Sequence, residues 1–221
     1  DYLERMELHL LRHGMPSSRL AMLGDEPTLA RAAVRVPDAL LILEDAGPLV
    51  FAGATWRIVA TPGHADGHIS LYDEVGQRLI AGDHLLERIS PAVGKFPDHA
   101  ANPLRLYLDS LKAVAELDIT LVHPGHGKSF SHARARCEAL LEHHEYRLDA
   151  CILAIANGAT TTWQMAQQVF GSHHDPMNER FTVTEALAHL SLAHERGLVS
   201  PNEQDALFCE WVVLAGDRLV P

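Results

Sequence analysis

Three short stretches of the chain combine side chains that bind metals or move protons with the backbone residues that hold such groups still. They are Thr61-Pro62-Gly63-His64-Ala65-Asp66-Gly67-His68, Ala81-Gly82-Asp83-His84 and His123-Pro124-Gly125-His126-Gly127. Proline and glycine turn the chain sharply, so a histidine or aspartate among them is fixed at the end of a strand rather than carried on a long loop. Imidazole nitrogens and carboxylate oxygens are ligands of divalent ions. One such loop is an ordinary surface turn. Three in succession, each pairing His or Asp with Gly after an apolar run, point to metal chemistry.

The elements that must position these loops follow from periodicity. Leu49-Val50-Phe51 and Thr55 to Val59 read as strands across an Ala52-Gly53-Ala54 turn. Ile69 to Tyr72 and Arg78 to Ala81 flank a second turn at 74–77, so an antiparallel region is expected. Asn102 and Pro103 open a helix with Leu104, Leu108, Leu111 and Ala115 on one face, and Ile119 to Val122 is one more strand. Before this region, Leu3, Met6, Leu10 and Leu11 have helical spacing over 3–13, stopped by Gly14 and Pro16. Ser17 or Ser18 is expected to cap a short helix ending at Gly24, and Pro27 to start another running to about Arg35. After it come a long helix from His132 to Asn157-Gly158, a Thr-capped helix from Trp163 to Phe170 and a third from Thr184 to Arg196-Gly197. A hairpin of Leu198-Val199 and Phe208 to Leu214 closes the chain's readable structure. The expected division is a helical excursion at 1–36, a sheet-and-helix domain at 37–133 and a winged-helix-like module at 134–221.

In order and in strand–turn context, TPGHxxGH, GDH and PGHG resemble the third, fourth and fifth motifs of the metallo-β-lactamase superfamily. The likeness is strongest to its glyoxalase-II-like and thioesterase-like members and spans roughly residues 37 to 130. The resemblance implies an α/β (α+β) fold, the second half of an αββα sandwich. It also implies a two-metal site in which His64 and His126 are ligands and Asp83 bridges the ions and is the catalytic carboxylate. Two cations about 3.5–4 Å apart lower the pKa of a shared water, so a metal-bound hydroxide attacks a carbonyl or phosphoryl group without a side-chain nucleophile. Zinc is the expected metal, with iron and manganese also compatible with these ligands. The implied activity is hydrolysis of a small ester or thioester. The alternatives are an endoribonuclease of the same fold, since a β-lactamase-like branch with GDHLL wording and a C-terminal winged helix includes one, and a non-catalytic binding domain with a degenerate site.

The family's HxHxDH motif, which supplies further ligands to both metals, has no counterpart here, because His9 and His13 lie in the opening helix without an Asp-His pair. Three donors are too few for two ions, and strands for only one of the two sheets are legible. The expectation is therefore that the HxHxDH half lies upstream in a parent protein, and that these residues alone are incomplete, inactive and hold no metals. The segment 1–36 then corresponds to the excursion that helps form the substrate cleft.

Composition narrows the partners. The chain of 221 residues is 47% apolar, carries a formal net charge of −11 and contains 15 histidines. The acidic balance argues against neutralising a phosphate backbone, and the candidate recognition helix offers Glu185, His189, His194 and Glu195 beside Arg196 alone. A small-molecule substrate and a homodimer are expected rather than DNA, with RNA left open. No apolar run reaches membrane-spanning length and no signal peptide is recognisable, so a cytoplasmic protein is expected. Cys137, Cys151 and Cys209 lack metal-knuckle spacing and read as reduced, buried thiols. Leu11-Arg12-His13-Gly14 matches the RHG of histidine phosphatases only superficially, since it ends a helix rather than a strand. His68 and His84 read as groups that shape their turns, and the loop from Glu87 to Asn102 as a flank of the substrate mouth.

Overall fold

The computed structural model describes residues 2–22, 35, 38, 43, 47–172, 175–205 and 208–214. The chain forms two compact units. One contains Asp1–Ala30, Ala92–Leu104 and His144–Pro221, the other Arg31–Pro91 and Arg105–His143.

The second of these is built on a five-stranded sheet, ordered β1-β2-β3-β4-β5. Its strands are β1 (Leu49–Phe51), β2 (Ala54–Ala60), β3 (Ile69–Asp73), β4 (Arg78–Gly82) and β5 (Leu121–Pro124). β1 to β4 form an antiparallel meander, and β5 joins β4 in parallel. The first hairpin closes on only two residues, Ala52 and Gly53, both at positive φ, because that twist matches the twist of paired strands. Beside it the Phe51 and Trp56 rings stack at 5.4 Å. At the β3–β4 turn the Asp73 carboxylate accepts hydrogen bonds from the Gly76 amide (3.0 Å) and Arg78 Nε (2.9 Å). β4 alternates as a half-buried strand should, with Leu79 and Ala81 fully buried.

Helix α3 (Pro103–Ala115) buries Leu108, Leu111 and Ala115 at one-turn spacing. Each buried leucine stabilises by about 1.5–3 kcal/mol. β5 starts at Leu121, two residues later than its apolar pattern suggests. Thr120 instead uses its amide and hydroxyl on the Gln77 carbonyl.

The other unit is mainly helical. It contains α1 (Tyr2–Arg12), α2 (Ser17–Ala21), the C-terminal part of α4 (Ala133–Ala156), α5 (Thr162–Val169) and α6 (Pro176–Glu195), with a hairpin of β6 (Val199–Asp205) and β7 (Phe208–Val213). α1 packs on α6 and β7. α2 is capped by neither serine: Pro16 is the N-cap residue and no side-chain cap forms. The helix expected from Pro27 to Arg35 lies outside the described residues, Arg35 apart. α5 has a full capping box, with Thr161 Oγ1 accepting from the Gln164 amide and the Gln164 side chain accepting from the Thr161 amide. α6 begins eight residues before Thr184, at the Asp175-Pro176 pair, where Asp175 Oδ1 caps the Met177 amide at 3.1 Å. Thr184, the expected start, lies inside the helix, where the hydroxyls of Thr182 and Thr184 donate back to the carbonyls of Asn178 and Phe181. No helix among the described residues is long and apolar enough to cross a membrane.

Candidate metal centre

β2, β4 and β5 run in the same direction, since two antiparallel steps separate β2 from β4 and a parallel step joins β4 to β5. Their C-terminal ends therefore lie at one edge of the sheet. The loops bearing His64, Asp83 and His126 leave the sheet there. The β4–β5 ladder is irregular between Ile80 and Gly82 and ends with Gly82 opposite Pro124, placing Asp83 beside the turn that carries His126.

Each loop is held by its own backbone. In the first, the Thr61 amide donates to the His68 carbonyl (2.9 Å) and the His68 amide to the Ala65 carbonyl (3.2 Å). Gly63 sits at φ +134°, with the backbone of Tyr107 so near that a Cβ would come within 2.7 Å of Tyr107 Cα. The Ser110 hydroxyl donates to the Pro62 carbonyl at 3.1 Å, so α3 clamps this turn from two positions about one helical turn apart. The third loop is closed by a pair of hydrogen bonds between Val122 and Phe130, of 2.8 and 3.1 Å, and by the Gly125 amide donating to the Gly82 carbonyl at 2.7 Å.

The three side chains meet at Asp83. Its Oδ2 lies 3.4 Å from His126 Nε2 and 3.7 Å from His64 Nε2. The second distance is too long for a hydrogen bond, and the first is at the limit of one. The other carboxylate oxygen, Oδ1, is buried and accepts no hydrogen bond among the described residues. A buried acceptor left without a donor costs about 1–3 kcal/mol, more when charged, so this position suits a cation. By donor type, one carboxylate and two imidazoles suit a divalent ion. Among the described residues, however, no group of three or more His, Cys, Asp or Glu side chains is placed so that it could hold a metal ion by itself.

Neighbouring histidines play other parts. His68 Nδ1 lies 2.8 Å from Thr61 Oγ1, which lies 3.0 Å from Ser70 Oγ, whose hydroxyl donates to the Ala81 carbonyl. With Ser70 donating onward, Thr61 donates to Ser70 and His68 donates from Nδ1. This network ties the TPGH turn to β3 and β4. His84 is fully buried, its ring 5.4 Å from that of Tyr107, and burial pushes its pKa down to about 3. It is a neutral core group. His123 turns to Ser129 Oγ at 3.0 Å.

A cavity of about 410 Å³ opens beside His126, walled by Leu86 and Ile89 and edged by Arg88 and Lys128. Arg136 fixes this wall by donating to the carbonyls of Leu86 (2.7 Å) and Ile89 (2.9 Å). Arg88, from the loop expected to flank the substrate mouth, therefore borders the centre. Arg136 was not visible as a site residue, since in the sequence it is one polar position on a long helix.

Residues 2–126 match the family model for the metallo-beta-lactamase superfamily. The chain belongs to that superfamily. A metallo-beta-lactamase family protein of known structure from Thermus thermophilus superimposes with a TM-score of 0.83 at 32% identity, covering 96% of this chain and 65% of its own. This confirms the mixed α/β fold read from the motifs. The Bacillus subtilis protein named "Probable metallo-hydrolase YqjP" is 31% identical over 142 residues, which are 62% of this chain and 44% of that protein. The atrochrysone carboxyl ACP thioesterase of Aspergillus fumigatus is 25% identical over 141 residues, 58% of this chain and 42% of that enzyme. The chain thus spans less than half the length of these two curated relatives.

Proposed function

We propose that the whole protein is a metal-dependent hydrolase of a small ester or thioester, with His64, Asp83 and His126 among its metal ligands. The observation that carries this reading is the approach of two imidazoles to one carboxylate oxygen of Asp83 in a chain of this superfamily. Divalent ions bound there would acidify a water and polarise the scissile carbonyl. Asp83 contributes negative charge at the centre, while its orphaned oxygen keeps a second coordinating position. His64 and His126 would supply imidazole donors beside the same carboxylate oxygen. The remaining ligands come from parts of the protein beyond these residues, in keeping with the greater length of its relatives.

The cavity beside His126 supports an acyl substrate. Leu86 and Ile89 offer an apolar wall for an acyl chain, and Arg88 and Lys128 offer cations for an acidic leaving group or carrier. A thioester on a phosphate-bearing carrier combines these features, and a relative named as an acyl-carrier-protein thioesterase points the same way. The test is elemental analysis of the full-length protein and of its His64→Ala and Asp83→Asn variants, with hydrolysis of acyl-CoA thioesters followed by thiol release. Close to two metals per chain, lost in both variants together with thiol release, is the expected result. A full-length protein that holds no metal and releases no thiol overturns the reading in favour of a binding domain.

A further inference from the structure

The mainly helical unit holds a second cavity, of about 580 Å³, between α1, the segment around Lys95, α6 and the C-terminal hairpin. None of its lining residues belongs to the three loops of the metal centre. Its inner wall is apolar, with Leu187 and Trp211 almost wholly buried. Its polar groups are mostly nitrogen donors. Lys95 Nζ donates to Ser191 Oγ at 3.1 Å, and the Ser191 hydroxyl in turn donates to the Leu187 carbonyl. Two ammonium N–H groups are left over, and among the described residues no carboxylate forms an ion pair with Lys95. Burial holds the Lys95 pKa below its ordinary value, the mark of an ammonium partly withdrawn from water.

A buried histidine, His13, also lines the cavity. The Trp211 indole donates to Thr162 Oγ1 at 3.1 Å, and the same hydroxyl lies 3.3 Å from His13 Nδ1. Burial pushes the His13 pKa down to about 3, so the ring is neutral. The Thr162 hydroxyl can accept from the indole and still donate to His13 Nδ1. In that arrangement the ring proton is on Nε2, and His13 can donate to a bound anion. The acidic lining residue, Glu195, accepts from the Asn102 side chain at 2.7 Å and is exposed at the rim.

We infer that this cavity is a binding site for a small amphipathic anion, with a carboxylate or phosphate head held by Lys95 and His13 and an aromatic or alkyl body against Trp211 and Leu187. A cavity of this size exceeds a bare inorganic anion and lies in the range of cavities that take small organic ligands. An ammonium and a neutral N–H donor beside an apolar wall select an anion with a hydrophobic tail over a cation or a neutral polyol.

The test is calorimetric titration of the 221-residue chain, with EDTA present, using 4-phenylbutyrate and its neutral amide. One saturable site for the acid, at least tenfold weaker for the amide and at least tenfold weaker in Lys95→Met, is expected, with Lys95→Arg retaining most of the binding. Saturable quenching of tryptophan emission by 4-(4-bromophenyl)butyrate should accompany it. Absence of saturable binding, equal binding of acid and amide, or unchanged acid binding by a folded Lys95→Met overturns the inference. If circular dichroism shows that Lys95→Met does not fold, the acid-over-amide preference and the quenching in the unsubstituted chain decide it, and failure of either rejects the site.

Discussion

Gly125 and Asp83 are in contact without a side chain between them: a Cβ on residue 125 would strike Asp83 Oδ1 and come within 3.0 Å of the Gly82 carbonyl carbon. The Gly125 amide bonds to the Gly82 carbonyl, so the backbone cannot retreat without breaking the link between β4 and β5. Glycine is required there for proximity to the carboxylate. Gly127, two residues on, has a φ of +90° and open space around its missing Cβ.

This pair of glycines gives the first prediction. In the full-length protein, Gly125→Ala should displace the Asp83 carboxylate and lower metal occupancy at least tenfold in a competition assay with a chelator. Gly127→Ala should cost about 1–3 kcal/mol of backbone strain and leave occupancy unchanged. Equal occupancy in the two variants would show that the Gly125–Asp83 contact does not govern the centre.

Gly63 sets up a prediction about stability. Its φ of +134° and the closeness of Tyr107 Cα mean that Gly63→Ala combines backbone strain with overpacking against α3. Each of these effects costs about 1–3 kcal/mol, so a total of ~3 kcal/mol is expected, read as a lower midpoint in urea with little change in slope. Ser110→Ala removes a hydroxyl shared between the carbonyls of Pro62 (3.1 Å) and Tyr107 (2.9 Å), without strain or overpacking, and should cost ~1 kcal/mol. If Gly63→Ala proved no worse than Ser110→Ala, the clamp by α3 would not be what holds the turn.

Much of the sheet was legible because its signals are local. Alternation marked β2 to β4, and the His, Asp and Gly residues of the three loops sit at strand ends as their spacing suggests. Their convergence was less legible, since it depends on β2, β4 and β5 sharing a direction, and pairing direction is not written in any one strand. The start of α6 differs from the expected Thr184 because the true cap, Asp175, stands before a Pro176 that reads as a break. Long-range groups were invisible for the same reason. Arg136 is fifty residues from the carbonyl of Leu86, and His13 lies 149 residues from Thr162.

Asp73 predicts an acid-sensitive hairpin. The Gly76 amide, and next the Arg78 guanidinium, hold its carboxyl below the ordinary value of 3.8. A lowered folded-state pKa contributes stability that is present above the unfolded value and lost as pH falls through the folded one. Asp73→Asn should therefore lower the melting temperature at pH 7, with the gap to the unsubstituted chain constant down to about pH 5 and narrowing below about pH 4. Thermal melts across that range, followed by circular dichroism, measure it. A gap that persists at pH 2.5 would mean that the lost contact is not one of charge.

Glu185 predicts the opposite slope. Desolvation on α6 pushes its carboxyl up to about 7, with Arg147 opposing the shift. Between the ordinary value of 4.5 and about 7 the folded chain keeps a proton that the unfolded chain has released. Stability from this group is thus greatest below the unfolded value and falls as pH rises through the folded one. Glu185→Gln retains an uncharged side chain of the same shape and removes that dependence. The variant should match the unsubstituted chain near pH 4.5 and be more stable at pH 8, by a margin that grows across the interval. Urea midpoints at pH 4.5, 6 and 8 test this directly, and a variant no more stable at pH 8 would place the Glu185 carboxylate in contact with water or fully neutralised by Arg147.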